Sequence, residues 1–376
     1  MTIKSSALDV MRGYHVERIP FIGRMDLWYN YHYKKGTLPE RYQGWSQWDI
    51  QRDLGIGIYG WLGPDFSIYK LVPRRVDIKT TTSGTEKVIE YRTPYGTLRS
   101  RYIQSREIIE AGILRGMHVE HMFKDERDYD ALLYYIENTE IVENFEEYGK
   151  FADFIGEDGI ASPDLGRLPM HQLMHFYMGY ERFYYEINDH PDKVEELHQA
   201  LLAQQRQVMQ LAVRSPVTAC HVGANYDELL TPPPIFKEYF LPFYQETAKL
   251  FEAHGKILVV HGDGEMRELL RLLMEAKVHV VEAITPKPMT SIDIRRTREL
   301  WAGKVTMWGG IPSIILTDEF SEEEFEDHLL DLFRAVAPGD RFILGFGDNV
   351  PTEALFHRIV RIAEFYQEHA TYPINL

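Results

Sequence analysis

In the segment KILVVHGDGEMRELLRLL an apolar run ends at His261 and passes through Gly262-Asp263-Gly264 into a stretch with helical periodicity. A strand that ends in this way sets His261 and Asp263 at its carboxyl end, two residues apart and on the same side, where both can face one ligand. The preceding apolar run ends in Cys220-His221, and the following one carries Glu282. Two imidazoles and one carboxylate are a donor set that holds catalytic zinc with a fourth tetrahedral position open. An ion held in that way acts as a Lewis acid on an oxygen that must depart or lose a proton. Without metal, His261 with Asp263 or Glu282 makes a general acid/base pair near neutral pH. The sequence leaves both readings open, beside a plainer one in which His261 ends its strand through backbone hydrogen bonds and Asp263 caps the next helix.

Other residues bear on the same chemistry. Cys220 immediately precedes His221, so it projects to the opposite side of the strand and is expected to be a buried, inert thiol. Asp348, beside Asn349 in a turn after the last clear apolar run, is a candidate for proton delivery, substrate contact or metal binding. Nearer the N-terminus, RMDLWYNYHYKKG and GWSQWDIQRDLGIGIYGW bring together Trp28, Tyr29, Tyr31, Trp45, Trp48 and Trp61. Such a group suits a flat, mostly apolar ligand, with Trp28, Tyr29 and Tyr31 as walls and Arg24 as the cation for one acid group. The alternative is a core of aromatic side chains.

The elements that must position these residues are legible from Pro191 onward. A long helix carries Val194, Leu197, Leu201, Val208 and Leu211 at helical spacing. Candidate strands then run over 218–222, 256–261, 279–283, 305–308 and 342–345, with helices beginning near Pro234, Glu265, Ser291, Ser321 and Thr352. Strand and helix alternating in this way imply parallel pairing. Each strand ends in polar or glycine residues, as the active-site face of a barrel does, so the expected fold is an α/β (β/α)8 TIM barrel rather than an open doubly wound sheet. Up to about Ile160 the pattern is irregular apart from a hairpin in which KVIEYRT and TLRSRYI flank Pro94-Tyr95-Gly96, and this part is expected to be an N-terminal elaboration. No linker or low-complexity block interrupts the 376 residues, which are read as a single domain, 1–376, with the elaboration in 1–160.

Bulk properties exclude several classes. A net charge of -16 without a long basic run argues against nucleic-acid and anionic-membrane partners, which need a basic footprint. A single cysteine cannot form an intramolecular disulfide, the first twenty residues lack the apolar core of a secretion signal, and no apolar run approaches spanning length. A cytoplasmic location is expected.

From about Leu165 onward the chain resembles the uroporphyrinogen-decarboxylase superfamily. The stretch that carries the resemblance is ANYDELLTPPPIFKEYFLPFYQETAKLFEAHGKILVVHGDGEMRELLRLLMEAKVHVVEA, continuing to WGGIP and GDNVPTEAL. Asn225 in this stretch is a further substrate-binding candidate. The superfamily includes the decarboxylase itself and methyltransferases that work with methylated corrinoid proteins, and it implies the barrel fold. Its decarboxylases carry an Arg-Gln-Ala-Gly-Arg-Tyr motif for the propionates of their substrate, whereas this chain has IPFIGRMDLWYNYHYKKG. In its corrinoid-to-thiol methyltransferases zinc is held by a His-x-Cys and a later Cys. His261 matches the first ligand, Asp263 stands at the cysteine position, and Gly345 or Phe346 falls near the later one. A His and carboxylate set is harder and suits an oxygen-containing substrate. The resemblance is thus to the methyltransferase component of anaerobic aryl methyl ether O-demethylation. It implies a small aromatic methyl ether as substrate and a corrinoid carried by a partner protein. The strand-end residues themselves supply the rest of the expectation: a metal, zinc by its donor set, on His221, His261 and Glu282, and His261, Asp263 and Asp348 in catalysis. Two alternatives stay open: a decarboxylase of a small acid, and a noncatalytic corrinoid- or tetrapyrrole-binding protein.

Overall fold

Short apolar runs rich in β-branched residues, such as ILVVH and VVEAI, form strands buried on both faces, the pattern of parallel sheets covered by helices. The computed structural model describes residues 1–60, 67–110 and 116–376. The chain divides into two compact units, one of Met1–Gly63, Tyr148–Asp164 and Pro216–Leu376, the other of Pro64–Glu147 and Leu165–Ser215. Among the described residues the first unit holds eight parallel strands: β1 (Ile22–Gly23), β2 (Gly57–Gly60), β3 (Gly159–Ala161), β4 (Ala219–Val222), β5 (Ile257–His261), β6 (Val280–Ile284), β7 (Thr306–Ile311) and β8 (Phe342–Phe346).

The first three strands make one parallel sheet and the last five another, each in sequence order. Two isolated parallel bridges link their edges, Phe21 with Leu344 and Asp164 with His221. Every strand contributes to a common core cluster: Ile22, Tyr59, Ile160, Ala219, Ile257 with Val259, Val280, Trp308 and Ile343. Ala7, Val10 and Met11 of the N-terminal helix Ile3–Arg12 pack into the same cluster. His221, His261 and Glu282 each stand two residues beyond a member of it, so strand alternation puts them on the same face, one layer closer to the carboxyl ends. Across the sheet His261 pairs with Glu282, whereas His221 pairs with Val259, two residues before His261.

All five strands expected after Pro191 form, within a few residues of the expected bounds. The corresponding helices are Leu241–Ala253, Leu270–Glu275, Ile294–Trp301, Glu322–Val336 and Phe356–His369. Ser321 and Glu324 form a reciprocal cap, as an N-cap serine followed by an acidic turn predicts. Asp263 caps no helix, since the next helical turn begins only at Arg267 and is preceded by Met266. The irregular N-terminal part also supplies β1, β2 and β3, which the sequence pattern does not mark.

In the second unit, strands Asp77–Ser83, Glu86–Thr93, Gly96–Ile103 and Met117–Glu120 form an antiparallel sheet. The expected hairpin is its centre, with Thr93 opposite Gly96 across the turn. Helix Pro191–Arg214 buries Val194, Leu197, Leu201, Val208 and Leu211, the apolar stripe read from its spacing.

Candidate metal centre

The carboxyl ends of β4, β5 and β6 bring His221, His261 and Glu282 together. Their exposures are 0%, 2% and 3%, and one donor atom from each lies within 4.8 Å of the others. Glu282 Oε2 is 2.7 Å from His261 Nδ1, a distance at which a ring N–H donates to the carboxylate, and 3.7 Å from His221 Nε2. The rings of His221 and His261 meet edge to face at 5.5 Å. Burial works against a charged Glu282, but His261 and then His221 outweigh it and hold the carboxyl at about 2. Glu282 is therefore an anionic donor at neutral pH.

Behind this set stands Asp164, three residues past the end of β3, whose Oδ1 is 3.8 Å from His221 Nδ1. Burial disfavours a proton on His221, yet Asp164 and Glu282 raise its pKa overall. A carboxylate on one ring nitrogen fixes the tautomer and leaves the other as a donor, the usual outer support of a metal-bound imidazole. Two imidazoles, an ionised carboxylate and a supporting acid fit a divalent cation of the zinc type.

Asp263 lies beside this group. Asn225 Nδ2 donates to its Oδ2 at 2.8 Å, and Thr285 Oγ1 lies 3.4 Å from its Oδ1. Burial, then the nearby Asp348 charge, pushes Asp263 up to about 6. The turn that places Asp263 depends on Gly264, at φ +111°, where a Cβ would fall 2.0 Å from the Tyr226 carbonyl oxygen. Asp348 accepts from Arg24 Nη1 at 2.9 Å, and Arg24 Nε also reaches Asp26 at 3.4 Å. Cys220 is fully buried, and its thiol is pushed up to about 12, chiefly by desolvation.

The aromatic residues of helix Asp26–Lys35 have local partners. Trp28 is 1% exposed, stacks on Phe356 at 5.3 Å and donates from Nε1 to the Ala354 carbonyl at 3.1 Å. Tyr29 donates to the Trp45 carbonyl at 3.0 Å, and Tyr31 accepts from Lys35 at 2.9 Å. Trp48 packs edge to face with Phe154, while Trp61 lies outside the described residues. Arg24, Asn225, Asp263 and Asp348 are thus linked in hydrogen-bonded pairs near the His/Glu set, whereas Trp28, Tyr29 and Tyr31 are engaged elsewhere. Sequence reasoning passed over Asp164, Thr285 and Tyr59. A polar residue just past a strand end is the signal that could have marked the first two.

A family model described as "Uroporphyrinogen decarboxylase (URO-D)" matches residues 171–369. Among solved structures, a methyltransferase from Methanosarcina mazei has a similar fold, with a TM-score of 0.59 and 11% identity over 98% of this chain and 99% of that one. No curated protein matches. At that identity the structural likeness bears on the fold alone.

Proposed function

The chain belongs to the uroporphyrinogen decarboxylase family, and from that premise we propose that it is a methyltransferase carrying a methyl group from a methoxylated aromatic, or a similar small donor, to the cobalt of a corrinoid protein. The fold we assign is a closed (β/α)8 barrel. It is supported by the two edge bridges and by the core cluster that draws at least one residue from each parallel strand.

The observation that carries the functional reading is the buried His221, His261 and Glu282 set, which contains no thiolate. A hard donor set of this kind suits activation of an oxygen rather than a sulfur. Held there, a divalent cation would supply Lewis acidity at the ether oxygen, an effect worth several kcal/mol of barrier by the general estimate for such sites. The residues themselves bind and hold protons: Glu282 stays anionic between two imidazoles, Asp164 orients His221, and Asn225 and Thr285 fix Asp263. In the reaction the oxygen–methyl bond breaks, the electron pair stays on oxygen, the methyl passes to Co(I), and a proton completes the phenol. We assign that proton to Asp263 or Asp348. The corrinoid partner and the aromatic substrate follow from the family resemblance together with this donor set.

A decarboxylase of porphyrinogen type would need cations for many carboxylates, since each buried charge must be paired. Arg24, the cation of the segment that replaces the decarboxylase motif, is already paired with Asp348 and Asp26. The test is a side-by-side assay. Methoxybenzoates and methoxyphenols are supplied with cob(I)alamin or a corrinoid protein and followed by the cobalt spectrum, and uroporphyrinogen III is followed by carbon dioxide release. Methyl transfer from an arene is expected. Efficient conversion of uroporphyrinogen, with no methyl transfer from any arene, overturns the proposal.

A further inference from the structure

Tyr59 in β2 is 4% exposed, yet its hydroxyl has no hydrogen-bond partner among the described residues. A buried donor without a partner is uncommon and calls for an explanation. The ring cannot easily turn away. It packs on Trp308 at 4.4 Å, and Trp308 is itself held by Nε1 donating to the Ile22 carbonyl at 3.0 Å. The ring belongs to the core cluster that includes Ala219, Val259 and Val280, the residues two positions before His221, His261 and Glu282. Its hydroxyl is within electrostatic reach of Glu282, Arg24, Asp164 and Asp348. These four groups come from different strand ends, and the cluster that holds the ring contains the residues two positions before the His/Glu set, so the hydroxyl shares its surroundings with the centre.

We propose that Tyr59 is a substrate-contacting residue of this centre, its hydroxyl donating a hydrogen bond to the oxygen of an aromatic ether bound there and to the phenolic oxygen that is released. The inference rests on the methyl-transfer reading for the identity of the ligand. Desolvation, followed by the Glu282 charge, keeps the phenol protonated, so it acts as a donor. In the transfer step Tyr59 keeps its proton. The oxygen–methyl bond breaks toward oxygen, Co(I) takes the methyl and becomes methyl-Co(III), and the Tyr59 hydrogen bond strengthens as charge grows on oxygen. The proton that completes the phenol comes from Asp263 or Asp348.

The experiment compares the parent with Tyr59→Phe in three measurements: metal content and melting, turnover, and binding of 4-hydroxybenzoate followed by its ultraviolet difference spectrum. Metal content should be unchanged, and melting unchanged or higher, because the variant removes an unpartnered hydroxyl. Turnover and phenol affinity should each fall roughly ten- to a hundredfold, at or below the lower end of the range for loss of one donor to a developing oxyanion. A ligand series on the parent supplies the second check: replacing the ether oxygen by a methylene should weaken binding in the parent and much less in the variant. Parent turnover with a variant equal to it within twofold in rate and affinity overturns the role of Tyr59 alone, as does a parent indifferent to loss of the oxygen. A parent that neither turns over nor binds any phenol overturns the substrate reading, and this role with it.

Discussion

At the level of single residues, the centre gains its direction from Asp164. His221 is enclosed in the core and could use either ring nitrogen, and the carboxylate 3.8 Å from Nδ1 leaves Nε2 turned toward Glu282. Asp164→Asn should therefore weaken metal affinity about 10- to 100-fold, the usual range for an outer partner of a ligating imidazole, with melting little changed. Metal titration against a competing chelator measures it, and an affinity equal to the parent's would remove Asp164 from the centre. Elemental analysis of protein prepared without chelator should find close to one zinc-type ion per chain, lost in Glu282→Gln. A parent free of metal and still fully active would end the metal reading. His261→Ala should reduce turnover by at least about 10²-fold, within the range for loss of a group acting directly on the reacting atoms. His261 is 2% exposed and hydrogen-bonded to Glu282, so some stability is lost as well. Circular dichroism should still show the parent's fold, and near-normal turnover would contradict the assignment.

The elements explain why part of this was legible in the sequence and part was not. Strands β5 and β6 announce themselves because five consecutive buried residues, mostly β-branched, stand between polar turns, and each run carries one polar residue, His261 or Glu282, that its apolar pattern does not call for. Strands β1 and β3 are two and three residues long, too short for any period to register. Asp164, just past β3, escaped notice for that reason, and Tyr59 in the four-residue β2 did so because its relation to the centre follows from strand order rather than from local pattern. The aromatic helix poses a different problem. Type and density suggest a ligand wall, and the contact of Trp28 with Phe356, from a helix more than 300 positions later in the chain, is one that no local pattern displays. Turn chemistry gives a sharper prediction. Gly264→Ala should cost about 1–3 kcal/mol from its backbone conformation alone, with more from the collision at Tyr226, and should lower the melting temperature and perturb Asp263. Parent-like melting would mean that the turn relaxes freely. The second unit should be sensitive to acid. Burial lowers the pKa of His171 and brings His118 to about 4 and His175 to about 3, whereas in the unfolded chain each titrates near 6.5. Their contribution is complete above about pH 6.5 and drains as pH falls, because the unfolded state takes up protons that the folded state refuses. Between pH 7 and 5, before most carboxylates titrate, melting should fall, and His171→Phe should flatten that slope. A slope equal to the parent's would assign the acid sensitivity to other groups.

For the molecule as a whole, the decisive quantity is the mismatch between its charge and that of a polycarboxylate substrate. A chain at -16 repels polyanions at long range, and only a concentrated basic pocket could reverse this locally. The one cation assigned to the substrate, Arg24, is 2.9 Å from Asp348 and 3.4 Å from Asp26, so a single incoming carboxylate would compete with two resident acids. A neutral methoxyphenol faces no such competition, whereas a methoxybenzoate does. Asp348→Asn should therefore lower KM for methoxybenzoates by several-fold while leaving KM for neutral methoxyphenols nearly unchanged. If Asp348 also delivers the proton, kcat should fall for both classes together. Salt separates these effects from long-range repulsion: at about 0.15 M the screening length is about 8 Å, so added salt should relieve the general penalty on anionic substrates but not the local pairing at Arg24. The assay is steady-state methyl transfer to a corrinoid acceptor, with both substrate classes, in the parent and in Asp348→Asn, at low and high ionic strength. Equal shifts in KM for charged and neutral donors would show that Arg24 does not meet the substrate's acid group.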